Sequence, residues 1–138
     1  MNITKMAKII YPVSFNTQYV YAYRELNDEL RDLIETSGYK NEFTRKYRRS
    51  LLMLENLKEN CTKQKTFEKL TNEKDLYSIR LKGEKNIRIL FTFAKLNKSD
   101  IVILLYAFQE KDQKNKSKTS YSKAIEIAHE RINDLKKS

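Results

Sequence analysis

Two arginines, Arg80 and Arg88, flank a short glycine-containing turn and are the residues in this chain best suited to chemistry. Each lies in a stretch of period two. Tyr77, Ile79 and Leu81 alternate with Ser78, Arg80 and Lys82, and Ile87, Ile89, Phe91 and Phe93 alternate with Arg88, Leu90 and Thr92. Alternation of this kind marks half-buried strands, and Gly83-Glu84-Lys85 suits the turn of a hairpin. Both apolar sets can face one core only in every second register. One such register sets Arg80 opposite Arg88; the next sets Lys82 there. Either way, cations cluster on the open face of one hairpin. Guanidinium forks suit a phosphate, and Tyr106 at the border of this face could stack on a base. Lys111, Lys114, Lys116 and Lys118 follow in a lysine-rich stretch from Gln109 to Thr119 with no apolar residue, which reads as a surface loop. Taken alone, these residues favour a plainer reading: a solvated strand face whose arginines pair with neighbouring acids.

Other chemistries have little to stand on. One His and one Cys cannot make a structural zinc site. Cys61 and His129 have no third partner in a recognisable nucleophile motif, and His129, beside Glu130, reads as a helix-surface residue. Two glycines leave no glycine-rich phosphate loop. No metal or cofactor is therefore expected.

The 28 Lys and Arg against 18 Asp and Glu give a net charge of +10, a field that attracts polyanions. A sequence that merely tolerates lysine would look the same. With a single cysteine no internal disulfide can form, which points to a reducing compartment. Residues 1–15 hold no apolar run fit for a signal peptide, and nothing approaches the roughly 20 apolar residues of a membrane span. The expectation is a soluble, cytoplasmic protein with no membrane partner, folded as a single domain over 1–138.

The elements that must position the arginines can be read around them. Ile9, Ile10, Tyr11 and Val13 suggest a short first strand. Asn16 or Thr17 would then cap a helix whose stripe is Val20, Tyr23, Leu26, Leu30 and Leu33, with an acidic outer face and Gly38 as its stop. A second helix carries Phe43, Tyr47, Leu51, Leu54 and Leu57 as its stripe. Lys40, Arg45, Lys46, Arg48 and Arg49 load its first half with positive charge. The two make an antiparallel helical hairpin. After a polar link over Glu59–Thr66 come the strand hairpin, a turn at Asn97–Asp100, and Ile101–Phe108, apolar on both faces as an interior strand would be. Tyr121, Ala124, Ala128, Ile132 and Leu135 make a last amphipathic helix. The fold class is α+β: a short N-terminal strand, a helical hairpin, a three-stranded antiparallel sheet and a C-terminal helix, with helices on one face of the sheet and the other partly open.

Three blocks, Leu76-Tyr77-Ser78-Ile79-Arg80-Leu81, Asn86-Ile87-Arg88-Ile89-Leu90-Phe91-Thr92-Phe93 and Ile101-Val102-Ile103-Leu104-Leu105-Tyr106-Ala107-Phe108, stand in this order. Lys118-Thr119 and the helical Ala124-Ile125-Glu126-Ile127-Ala128-His129-Glu130-Arg131 follow them. From Leu70 to Leu135 the pattern resembles the phage-derived Gp49-like branch of the RelE/ParE toxins, which includes HigB. The N-terminal part matches only in its strand-then-two-helices layout. The resemblance implies a RelE-like fold and a toxin of a toxin–antitoxin pair, an endoribonuclease that cleaves ribosome-bound mRNA and inhibits translation. It also implies a partner antitoxin, usually of helix-turn-helix type. Two positions depart from the pattern: Tyr106 stands where the branch usually has His, and Glu110 replaces the first Lys of a Lys pair whose second is Lys111.

RNA carries its own nucleophile, so in-line attack of a 2′-hydroxyl on the adjacent phosphate needs no metal. On this reading Arg80 and Arg88 stabilise charge and clamp the substrate. Lys111, with Lys114 or Lys118 as substitutes, is the candidate base or phosphate contact, and Tyr106 orients the substrate. Lys82, Arg45, Lys46, Arg48 and Arg49 are the candidate RNA-binding cations, docking with salt-sensitive affinity. The rivals are a ParE-like inhibitor of DNA gyrase, which would share the fold and cut nothing, and a non-catalytic RNA-binding or phage accessory protein.

Overall fold

The computed structural model describes residues 1–13, 16–110 and 119–137. Its strands are β1 (Met6–Lys8), β2 (Val20–Tyr23), β3 (Phe67–Lys69), β4 (Tyr77–Leu81), β5 (Ile87–Leu96) and β6 (Ser99–Gln109). Its α-helices are α1 (Leu26–Glu35), α2 (Lys40–Leu57) and α3 (Tyr121–Lys136). The strands form one sheet in the order β1-β2-β6-β5-β4-β3. Every pairing is antiparallel except that of β2 with β6. The α+β class holds. The expected three-stranded antiparallel sheet does not: β4, β5 and β6 are the middle of a six-stranded mixed sheet.

The three additional strands are short, and each hides for a physical reason. β2 is covered on both sides of the sheet, with Val20, Ala22 and Tyr23 buried and Tyr21 half-buried, so it lacks the alternation of an exposed strand. Its Val20 and Tyr23 also extend the spacing of Leu26 and Leu30, which made one long helix of a strand and a helix. The chain turns at Arg24-Glu25, and α1 starts at Leu26 without a side-chain cap. The Thr17 hydroxyl, expected to cap a helix, instead donates to the Val20 carbonyl at 2.6 Å. β1 and β3 have three residues each, too few for a period to register. The segment expected as the first strand is irregular: Ile9 and Tyr11 enter the core while Ile10 and Val13 are exposed.

Helices pack on both faces of the sheet, which corrects the expectation that they lie on one face only. Leu26, Leu30 and Ile34 of α1 and Phe43, Tyr47, Leu51 and Leu54 of α2 pack on Ile79, Leu81, Ile87, Ile89 and Phe91. On the other face Ala124, Ala128 and Leu135 of α3 pack on Leu76, Leu90, Ile103, Leu105 and Phe108. Ser120 caps α3, its side chain accepting from the Lys123 amide at 3.2 Å. Between α1 and α2, Gly38 takes the left-handed conformation (φ 85°) that favours glycine at a helix end.

Polar side chains lock the layers where apolar contact alone would leave them free. Asn27, buried on α1, accepts from the Ile10 amide at 3.1 Å and donates to the Lys8 carbonyl at 2.9 Å. Glu55 of α2 accepts the backbone N–H groups of Gln18, Tyr19 and Val20 at 2.9, 2.5 and 2.8 Å, pinning the entry to β2. Tyr47 is wholly buried with its hydroxyl unpaired. Tyr47→Phe should therefore unfold at the same temperature or higher, since it removes an unsatisfied buried group and almost no volume. A thermal melt checks this.

Tyr23 of β2 donates to Asp134 of α3 at 2.5 Å. Burial, then that hydrogen bond, pushes the Tyr23 phenol up to about 12. The Tyr23 hydrogen bond, and then the nearby Lys5, hold the Asp134 carboxyl below its usual range. A carboxyl lowered on folding stabilises above its unfolded pKa, roughly 3.9, and loses that contribution as pH falls through the folded value. Tyr23→Phe should therefore flatten the acid limb of a stability–pH curve below about pH 4, which urea titrations at stepped pH would read.

Candidate functional site

β4 and β5 pair in the register that sets Arg80 directly opposite Arg88, with α-carbons roughly 4.5–5.5 Å apart. Both lie on the face that α3 covers only in part. The same face carries Glu68, which pairs with Ser78, and Phe108, which sits opposite Arg88. Ile79, Leu81, Ile87 and Ile89 anchor the hairpin from the opposite face, so the arginines stand on rigid strands rather than on a loop.

The two guanidinium groups differ in their surroundings. Arg88 donates from Nε to Glu110 Oε2 at 2.5 Å, has Glu68 Oε1 3.9 Å from Nη1, and lies 5.4 Å from the centre of the Tyr121 ring. Its side chain is only 16% exposed. Burial pushes the Tyr121 phenol up, so that ring stays neutral and offers a face to the cation. Two carboxylates thus offset one guanidinium, and Glu110, the departure from the Lys pair, is the nearer. Arg80 makes no ion pair among the described residues, and its Nε is buried without a hydrogen-bond partner. An unmet buried donor costs about 1–3 kcal/mol. Arg80, Lys82, Asn86 and Arg88 line a shallow cleft of about 230 Å³ at the hairpin end.

Tyr106 sits apart from this pair. It faces Leu90, one step along the ladder, while Phe108 occupies the position opposite Arg88. The Tyr106 ring stacks on Phe108 with centres 5.7 Å apart, and the Arg131 guanidinium lies 5.1 Å from its centre. Arg131 in turn binds Glu29 of α1 bidentately at 2.7 and 2.6 Å. It also donates at 2.8 Å to the carbonyl of Leu105, the extra residue where β6 bulges against Leu90/Phe91. Tyr106 is thus part of a clasp joining α1, β6 and α3.

The basic residues of α2 divide between two sides. Lys46 and Arg49 line a second, larger cleft of about 540 Å³ on the outer side of β4, which Arg80 and Lys82 also reach. Lys46 pairs with Glu42 at 2.8 Å and donates to the Lys82 carbonyl. Arg45 and Arg48 are exposed and line neither cleft; Arg48 donates to the Val13 carbonyl at 3.4 Å. Lys111, Lys114, Lys116 and Lys118 lie outside the described residues.

The residues that sequence reasoning missed are Lys63 and Lys65, which close the larger cleft, and Glu68 and Tyr121 beside Arg88; Glu110 was singled out, but not its contact with Arg88. Lys63 and Lys65 fall in what read as a polar link, and their density of charge was the signal available there. Cys61 and His129 lie on opposite faces of the sheet. Cys61 is buried among the α1 and α2 contacts, and burial pushes its thiol up to about 11. His129 on α3 lies 2.6 Å from Glu73. Among the described residues no three of His, Cys, Asp and Glu gather as a metal site would require, and no helix is long and apolar enough to cross a membrane.

A basic α+β chain with two arginines opposed on a strand hairpin is the class these features define. The family described as "Phage derived protein Gp49-like (DUF891)" matches residues 35–133, well over half of the chain, and the protein belongs to it. That family falls in the RelE/HigB-like toxin group and is associated with the toxins of toxin–antitoxin systems. No curated protein and no solved structure matches the chain.

Proposed function

We propose that this protein is the toxin of a type II toxin–antitoxin system, an endoribonuclease of the cytoplasm that cleaves ribosome-bound mRNA without a metal and so inhibits translation. The observation that carries the reading is the opposed Arg80 and Arg88, with the buried Nε of Arg80 unpaired, in a member of a toxin family. In the reaction a 2′-oxygen attacks the adjacent phosphorus and its proton passes to a base. The bond from phosphorus to the 5′-oxygen breaks, and that oxygen takes up a proton. The products are a 2′,3′-cyclic phosphate and a 5′-hydroxyl. Arg80 supplies the free positive charge for the extra negative charge of the pentavalent phosphorus. Arg88 joins it once a phosphate displaces Glu110. Lys111, Lys114 or Lys118 is the base, and the ribosome arranges the strand in line. A helix-turn-helix antitoxin is the partner that silences it.

A second reading has its own support. Glu110 and Glu68 occupy Arg88, and Arg131 occupies Tyr106, as suits a relative that binds RNA without cutting it. Mapping mRNA 5′ ends by primer extension after brief induction decides between the two. New ends inside translated frames support the ribonuclease. Growth arrest without new ends, with gyrase inhibited, would mark a gyrase inhibitor. Intact message and working gyrase would leave RNA binding alone.

A further inference from the structure

Apart from Arg80, no residue of the larger cleft takes part in the cleavage step. Three separate parts of the chain build the cleft: Lys46 and Arg49 from α2, Lys63 and Lys65 from the link before β3, and Arg80 from β4 with Lys82 just beyond its end. It exists because β3 is short. The pairing of β3 with β4 ends at Phe67 and Ile79, Arg80 donates only to the Thr66 carbonyl, and the chain then leaves the sheet edge. Among the described residues, all six charged side chains that line it are cations, only Lys46 of these has an ion-pair partner, and no aromatic side chain lines the cleft. At about 540 Å³ it is within the range of ligand-sized sites, roughly 300–1,000 Å³, and far too small for a duplex.

We propose that this cleft is a backbone-binding track for single-stranded RNA, holding phosphates of nucleotides adjacent to those at the Arg80–Arg88 pair. The proposal rests on the ribonuclease reading only for the strand's destination; binding does not require cleavage. Convergent, unpaired cations bind a row of phosphates and release counterions. Without an aromatic platform the track reads no bases, so recognition here is independent of sequence. Arg80 and Lys82 line both clefts, so a strand leaving the hairpin cleft enters this one without a break. An acidic protein segment is the less suitable occupant, because only Met53 and Leu81 among the lining side chains would receive apolar anchors.

The test uses the full chain and a fluorescein-labelled hexamer of 2′-O-methyluridine, which cannot be cut, in anisotropy titrations over a range of salt. Lys63 and Lys65 are exposed, so Lys63→Gln/Lys65→Gln should melt as the unaltered protein does. The double variant should bind at least about tenfold more weakly, with the slope of log K against log salt reduced by about 1.4. The pair Lys8→Gln/Lys137→Gln removes the same charge from exposed positions that line neither cleft and should leave the slope nearly unchanged. A hexamer of 2′-O-methyladenosine should bind about as well as the uridine one. Equal losses in both double variants would reduce the effect to bulk charge and overturn the track. So would equal competition by inorganic tripolyphosphate or by a glutamate hexapeptide, which would mark a polyphosphate or an acidic-peptide site. Lysine-dependent binding with intact cellular message would sink the ribonuclease reading and leave the track standing. Cleaved message with binding indifferent to Lys63 and Lys65 would do the reverse.

Discussion

If the protein cuts RNA as proposed, Arg80→Ala should lower cleavage by about 10²–10³-fold while the protein folds and melts normally. Arg80 makes no ion pair among the described residues, and its buried Nε contributes nothing to stability as it stands. Its positive charge is therefore available to a transition state and is not spent on the fold. The loss should fall in the turnover number more than in apparent affinity, because the charge it answers grows only as the phosphorus becomes pentavalent. Arg88→Ala is the poorer probe. It would leave Glu68 and Glu110 on one face without the cation between them, so its loss of activity should come with a lower melting temperature. Induced cells should resume growth with Arg80→Ala at normal expression. Full toxicity of that variant would remove Arg80 from the site.

Glu55→Ala should be the most damaging change outside the apolar core. One carboxylate holds three consecutive backbone amides at the entry to β2, and β2 is the parallel neighbour of the central strand β6. Hydrogen bonds to a charged acceptor contribute about 1.5–3 kcal/mol each, and partial exposure lets water replace some of that. A net loss of about 2–4 kcal/mol is expected, a fall in melting temperature on the order of 10 °C for a chain of this size. Glu55→Gln keeps one acceptor oxygen and should fall in between. A melting temperature within about a degree of the unaltered protein in Glu55→Ala would show that the β2 entry holds by packing alone.

How much of this was legible follows from which elements have room to show a period. α2, with 18 residues, and the β4–β5 hairpin repeat their patterns often enough to be read, and the hairpin register left only two choices, one of which the structure takes. β6 was legible as an interior strand because it is apolar on both faces. β1, β2 and β3 were not, since three or four residues cannot declare a period and β2 copies helical spacing. The side on which α3 packs is a matter of chain path that no local pattern encodes. At the site, the opposition of Arg80 and Arg88 was legible through register. That an arginine of this face pairs with acids was the plainer reading, but which acids was not legible, because Glu68 comes from β3 and Glu110 from just beyond β6. The larger cleft was half visible in the α2 cations, but its third wall depends on where β3 stops.

The parallel seam between β2 and β6 bears on how the molecule comes into being. Val20 lies beside Val102, Tyr23 reaches Asp134, and the Asn2 amide donates to the Leu135 carbonyl at 2.6 Å. β1 and β2 can pair with each other, but β2 has no parallel partner until β6 is made. α1 and α2 emerge early with apolar stripes and no sheet to cover them. Contacts so distant along the chain make for slow closure. The hairpin that opposes Arg80 and Arg88 is local and can form early, but the sheet that holds it rigid is complete only once β6 bridges β5 to β2.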